Sequence, residues 1–419
     1  MKVKPSKILA ILIIFHPVWL IASAFAGIVE VPGASLPALL GKPVATIRLF
    51  AKNSEGRMAP IPYQIDERAS QTAPWFLDQT PKNTPGLGVL DPQDVLLFMQ
   101  EDAGPAASAS ELPAAGAGME ITVDAASGRT VYALLADETA PRSSRSYISY
   151  QAAQDRVSSS FYEAGFKSGS PLIQDTLILH NGEKTTDILD RFKIRLKLAI
   201  KNFFDFKIEE GGIDSRLVGY RSGPIRVLRR VVATKKLGPI RVAPQSKIDF
   251  LFYPAWIEVP TKIHNPIDGP KFLEDKTVGF SGYDFSSSIY GSRLFSSLGG
   301  APITLNGTSG AKKLPGDLTW WALSGPAGSL AVSIRNDPQL ARAGVAPLFV
   351  VHDDSRAANP PESEAGESFV GFDLPYDKIP KGDYTLLLKQ VFPYRFDSGQ
   401  IDAYLKAAKT VQPGAVKAL

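Results

Sequence analysis

The sequence predicts an all-β protein: a large antiparallel β-sandwich, with a smaller N-terminal β domain and a short C-terminal helix. Three observations carry this. In residues 191–201 charge and apolarity alternate with a period of two, which a strand sorts onto two faces and a helix would scatter. The 35 glycines, 33 prolines and 10% aromatic residues suit many short strands joined by tight turns. Gly223-Pro-Ile-Arg226 recurs as Gly238-Pro-Ile-Arg241, 15 positions on, as adjacent strands of a meander would. Nothing in the chain alternates strands with regular helices, which argues against a parallel α/β sheet.

At the N-terminus, Lys2, Lys4 and Lys7 precede an apolar run over 8–21, and Ala24-Phe25-Ala26 offers an A-x-A cleavage site. Residues 1–26 therefore read as an export signal, and the mature chain is expected to begin at Gly27 in the periplasm or outside a bacterial cell. His16-Pro17 interrupts the apolar run, which a membrane helix needs for about 20 residues. No transmembrane segment is expected after cleavage. Those three lysines supply most of the net charge of +4, and without them it is +1, so a nucleic-acid partner loses its main support. Charge is segregated instead: residues 191–241 hold fourteen Lys and Arg against four acids. There is no cysteine, which excludes disulfides, lipoprotein anchoring, CxxCH haem attachment and cysteine-bound metal. Stability must come from a core, which about 390 residues can supply as two domains.

Residues 27–146 make the first unit. Runs at 44–50 and 61–67 flank a polar loop containing Gly56, 94–99 suits a short buried strand, and 119–123 with 130–135 resembles a hairpin. Residues 103–118, rich in Ala, Ser, Pro and Gly, bury too little to order themselves and read as a flexible loop. Residues 147–399 make the sandwich, with strands expected over 158–166, 172–179, 191–208, 215–220, 225–235, 247–253, 320–323, 330–334, 348–352 and 382–392. A strand as long as 191–208 either bends midway, at Asn202, or belongs to a large curved sheet. Residues 354–367 form a polar loop. Residues 400–409 form the terminal helix, and the tail to 419 is expected to fray.

The period-two stretch supplies the first candidate site. A strand places Phe192, Ile194, Leu196, Leu198 and Ile200 on one face, and Arg191, Lys193, Arg195, Lys197 and Lys201 on the other. Like charges at alternate positions stand roughly 6.6–7 Å apart and repel unless water, carboxylates or an anionic ligand cover them. That surface is either a solvated sheet face or a groove for an anion. Arg221, Arg226 and Arg230 extend it if strand 225–235 neighbours strand 191–208, since arginine forks match carboxylate and phosphate. Parity puts Arg226 and Arg230 with Leu228 and Arg229 with Val227, so at least one of these arginines is expected to point toward the core side or a strand edge. Tyr253 and Trp256, where an apolar strand passes into a loop, are candidate platforms for a sugar ring, and Trp320 and Trp321 must face opposite ways. The candidate ligand-binding set is thus Lys193, Arg195, Lys197, Arg221, Arg226, Arg230, Tyr253 and Trp256.

His180, His264 and His352 lie far apart without HxH or HExxH spacing, so no zinc site is expected. Asp66-Glu67 and His352-Asp353-Asp354 read as solvated strand ends rather than calcium loops. No P-loop, GxGxxG or GxSxG arrangement appears, and no cofactor is expected. Eliminative cleavage of a uronate polymer needs a cation against the carboxylate and a base at the α-carbon. Tyr220, Arg221, Tyr253 and His264 supply those residue types near the basic stretch.

Gly56-x-x-x-Pro60-Ile-Pro-Tyr-Gln-Ile-Asp-Glu67, followed by Gly88-x-Leu-Asp-x-x-Asp94-Val-Leu-Leu-Phe-Met99, resembles an N-terminal unit found in exported bacterial β-rich proteins of unassigned role. Similar openings accompany proteins resembling the galactose mutarotase-like supersandwich, several of which act on polysaccharides. The resemblance implies a β-sandwich and a carbohydrate connection, and carries no catalytic residue onto this chain. The reading that follows is an exported sandwich binding an anionic polysaccharide or glycolipid through its basic sheet face. A polysaccharide lyase-like enzyme is one alternative. A structural or assembly subunit of the cell envelope, docking an acidic protein partner, is the other.

Overall fold

The computed structural model describes residues 27–113, 117–182, 184–202, 205–237, 240–354, 368–394 and 396–419. The expected export signal lies outside them, as does nearly all of the polar loop 354–367. The chain is all-β, in five sheets whose strand pairs are antiparallel with one exception.

A nine-stranded sheet forms one layer of the sandwich. It runs, in spatial order, through Asp214–Ser222, Val227–Leu237, Ile240–Phe252, Trp256–Asn265, Gly382–Val391, Gly328–Arg335, Trp320–Gly325, Ser292–Ser296 and Ile303–Leu305. The facing layer is made of two sheets. A five-stranded meander covers Ile148–Gln151 to Lys184–Asp187, and a six-stranded sheet contains Asp205–Ile208, Leu189–Ala199, Val278–Phe285, Ser368–Pro375, Leu348–Asp353 and Gly310–Leu314. The core between the layers draws Val227, Val231 and Phe252 from the nine-stranded sheet and Leu177, Tyr283 and Phe349 from its partners. Trp320 and Trp321 divide as their parity requires: Trp321 enters this core, and Trp320 packs against the cluster behind the sheet. The first Gly-Pro-Ile-Arg copy leads into Val227–Leu237, and Ile240 and Arg241 of the second open the neighbouring antiparallel strand; Gly238 and Pro239 lie outside the described residues.

The N-terminal unit is a smaller sandwich of a four-stranded and a five-stranded sheet, with Val29, Leu49, Leu96 and Ile121 between them. It sits behind the nine-stranded sheet, where Val95, Leu97 and Met99 pack with Leu228, Leu251 and Trp256.

Three local expectations are corrected. Residues 191–208 are not one strand: the chain reverses at Asn202, which holds φ +61°, and Leu196 pairs with Ile208 and Leu198 with Phe206. Asn tolerates the left-handed conformation that such a reversal needs. The tail does not fray. After the helix Ile401–Ala407, Thr410–Val411 pairs in parallel with Ile28–Pro32 and Ala415–Ala418 pairs with Gly118–Asp124, so one short segment completes an edge of both N-terminal sheets. The Ala-rich loop is fastened at several points: a 3-10 turn Ala109–Glu111 is capped by Ser108, Glu111 meets Lys52 at 2.6 Å, and the Ala107 amide donates to Tyr132 Oη at 2.7 Å.

Candidate functional site

The parity of the period-two strand is as read, but its basic face does not look onto open solvent as expected. The odd face of Leu189–Ala199 carries Lys193 and Arg195, and both are buried. Lys193 is 0% exposed and its Nζ lies 2.6 Å from the Asp284 carboxylate. Gly282 and Gly371 run alongside it, and a Cβ at either would meet the Phe369 ring within 2.7 Å, so both are bare where that ring crosses the sheet. The Arg195 guanidinium is paired with Glu210, with Glu209 3.9 Å away. Lys197 is half-buried, with no ion pair among the described residues. The repulsion anticipated along this face is therefore relieved by carboxylates of the same chain.

The arginines of 221–230 do not extend that face, because strands Leu189–Ala199 and Val227–Leu237 belong to opposite layers. Arg226, Arg221 and Arg230 instead bind the N-terminal unit. Along Tyr63–Asp66, Tyr63 and Ile65 enter the N-terminal core, while Gln64 and Asp66 point to the nine-stranded sheet. Asp66 takes Arg226 through both Nε (2.9 Å) and Nη2, and Gln64 Oε1 accepts from the Arg226 amide at 3.0 Å. Arg221 lies 3.4 Å from Asp78 and 3.7 Å from Asp66. Arg230 forks onto Asp249 and also donates to the Trp75 carbonyl. Asp66-Glu67 is thus a buried joint rather than a solvated strand end. Asp353 is buried too, accepting from Ser368 and from the amides of Asn306, Gly307 and Ser309, which hold its carboxyl below the usual range although burial opposes them.

Tyr253 and Trp256 stack on each other with centroids 4.5 Å apart, 3% and 1% exposed, so neither ring is an open platform. Burial pushes the Tyr253 phenol up to about 12, and Arg226 donates to its oxygen at 3.0 Å. Of these arginines, Arg229 is the one that shares the core face with Val227, forked onto Asp155 and lying 3.7 Å over the Phe166 ring. The elimination residues do not converge: His264, bonded to Asp383 at 2.8 Å, stands eight residues along its strand from Trp256, roughly 26 Å. Among the described residues no three His, Asp or Glu side chains gather as a metal ion would need.

What the sequence reading missed lies on the apolar face. A slot of about 300 Å³ opens between the six-stranded and nine-stranded sheets. Phe192, Ile194, Leu196, Phe372 and Leu374 line it from one side, and Ile263, Ile334, Leu386 and Leu388 from the other. All nine face the opposing sheet, yet all remain only half-buried. Facing side chains normally interdigitate across a gap of about 10 Å to crystal-like density. The local cause is side-chain size. In the central strand Val278–Phe285 the inward positions are Gly279, Ser281, Tyr283 and Phe285. Tyr283 and Phe285 pack edge-on to Trp321 and fill the core there. Gly279 and Ser281 fill nothing, and a Cβ at Gly279 would meet only ordinary contacts at 3.7 Å and beyond. Across from them stand Ala233, Ser246 and Thr261, which are also small.

No protein-family model matches the chain, and no curated protein matches its sequence. Among solved structures it is similar to an alpha-mannosidase from Enterococcus faecalis V583, at 10% identity and TM-score 0.40 over 93% of this chain and 43% of that one. It also resembles a galactose mutarotase-related enzyme from Lactobacillus acidophilus, at 6% identity and TM-score 0.36 over 59% of this chain and 98% of that one. A putative aldose 1-epimerase from Escherichia coli K12 is similar at 10% identity and TM-score 0.34, over 59% and 99%. The chain spans under half the length of the mannosidase. These likenesses, weak as they are, concern the fold alone.

Proposed function

We propose that the protein binds the hydrocarbon part of an amphiphile, the glycolipid branch of the sequence reading, in the slot between its two large sheets. One observation supports this above others: nine inward-facing apolar side chains stay only half-buried around an opening of about 300 Å³. Apolar surface left wetted costs about 25 cal/mol per Å², and a chain that displaces water from it recovers that cost. The volume suits roughly ten water-sized groups, the scale of a medium-length acyl chain. The described cations of the candidate set, Lys197 aside, already hold carboxylates, so the affinity is assigned to the slot and not to the basic face. Export to the periplasm or beyond, which the N-terminal residues suggest, would bring such a carrier to membrane-derived ligands.

Native mass spectrometry of protein purified without detergent tests this. The expected result is a non-covalent adduct that organic extraction removes, after which the protein takes up N-phenyl-1-naphthylamine with a rise in fluorescence. A protein that carries no adduct and leaves the dye dark contradicts the reading.

A further inference from the structure

We propose that the buried end of the slot recognises a hydroxyl group on its hydrocarbon ligand, an inference that rests on the slot being a hydrocarbon site. Gln174 and Gln390 both line the slot and are 4% and 2% exposed. Gln390 shares the inward face of its strand with Leu386 and Leu388, and its strand neighbours in register are Ile257 and Val332. Leu172 and Phe250, also buried, complete this end, whereas Leu196, Ile263, Leu374 and Leu386 at the other are half-exposed.

The hydrogen bonds fix which way both amides point. Gln174 Nε2 donates to the Thr176 carbonyl at 3.2 Å. A carbonyl only accepts, so the Gln174 nitrogen must lie there and its oxygen on the other side. That oxygen accepts from Gln390 Nε2 at 3.4 Å. The Gln390 nitrogen is thereby committed too, and Gln390 Oε1 is left buried with no hydrogen-bond donor among the described residues. A buried acceptor without a donor is costly, and the neighbours of Gln390 in register, Ile257 and Val332, and Leu388 two positions along the same face carry no side-chain donor. The missing partner is therefore a donor brought from outside. An ammonium would lie buried without a counter-charge, and a carboxylate offers no proton to an acceptor. An alcohol meets both conditions, and the ligand class is a hydroxylated hydrocarbon.

The test displaces N-phenyl-1-naphthylamine from the full-length protein with 1-dodecanol and with dodecyl methyl ether, which has an oxygen but no donor. The readout is the alcohol-to-ether affinity ratio in wild type and in Gln390→Met, which keeps the length and removes the acceptor. One neutral hydrogen bond corresponds to roughly a fivefold change, so the ratio should fall about fivefold in the variant while the ether binds as before. An unchanged ratio overturns the proposal and leaves the hydrocarbon reading standing, with Oε1 satisfied by water. Failure of the dye, the alcohol and the ether alike to bind wild type overturns the hydrocarbon reading and this proposal together. Should Gln390→Met not fold, the side-chain amide resonance of Gln390 in wild type decides: it should shift on adding dodecanol and stay still with the ether, and equal responses overturn the proposal.

Discussion

On its outer face the nine-stranded sheet meets the N-terminal unit through arginine–carboxylate forks and a buried aromatic cluster. On its inner face, toward the six-stranded sheet, it meets half-exposed aliphatic side chains across a slot. The outer joint brings Arg226, Asp66, Gln64, Tyr253 and Trp256 into mutual contact with almost no exposure. The inner one leaves Leu196, Leu374 and Leu386 only half-buried along the slot, although each also packs against the small cluster around Tyr376 and Tyr384. Polarity alone is thus a poor guide to function in this molecule. The cations that polarity singled out, Lys197 aside, hold carboxylates of the same chain, and the unfilled interface is the apolar one.

The largest expected effect lies at the joint. Arg226→Ala leaves Asp66 charged, buried and without its fork, and should cost about 3–5 kcal/mol in denaturant unfolding. Replacing both partners, as Arg226→Met with Asp66→Leu, should recover most of that loss. A single substitution that costs less than the surface norm would mean that the forks do not hold the joint.

The N-terminal unit behind the joint should also make stability depend on pH. Burial pushes the Asp94 carboxyl up to about 6 from its usual 3.8, against two backbone amides that favour its charge. The folded protein then binds more protons than the unfolded chain between about pH 4 and 6, so stability falls as pH rises through that window and levels above it. A shift of roughly two units corresponds to at most about 3 kcal/mol. Asp94→Asn should flatten the slope, as read from unfolding midpoints across that range. A slope that persists assigns the effect to other buried carboxyls such as Glu67, which burial also raises.

How much of this was legible in the sequence follows from which residues depend on pairing. The alternation in 191–201 gave strand, parity and apolar face, because these are local properties of a pleated backbone. The partners of Lys193 and Arg195 were not legible. Asp284 is about ninety positions away, and Glu210 comes close only because the chain reverses at Asn202. The slot was hidden for the same reason. Gly279 and Ser281 are unremarkable in a strand until the register sets them between Leu196 and Leu374 and between Ile194 and Phe372. The roles of Gln64 and Asp66 were half-visible: their motif drew attention, and its alternation with Tyr63 and Ile65 marks a strand with two buried faces. The fate of the tail needed the fold, since nothing in residues 410–418 names strands some 300 or more residues upstream.

Adding one large ring to each interface should sharpen the contrast. Ala331 is fully buried between the joint and the sheet, and Ala331→Phe should cost about 1–3 kcal/mol or more from overpacking. Ser281→Phe adds a comparable ring toward the slot and should cost less than about 1 kcal/mol. Equal losses at the two positions would show that the slot is not open. The smallest effect is expected at Lys197, where Lys197→Ser should stay within about 0.5 kcal/mol of wild type, because no ion pair is lost. A larger loss would give that lysine a structural task like that of Lys193.

The most direct measurement is a titration of N-phenyl-1-naphthylamine into wild type and Ser281→Phe, with thermal unfolding followed on the same samples. Saturable enhancement in wild type that disappears in the variant, at nearly unchanged unfolding temperature, is the expected result. Equal enhancement in both proteins would place the dye elsewhere and contradict a ligand held between the sheets.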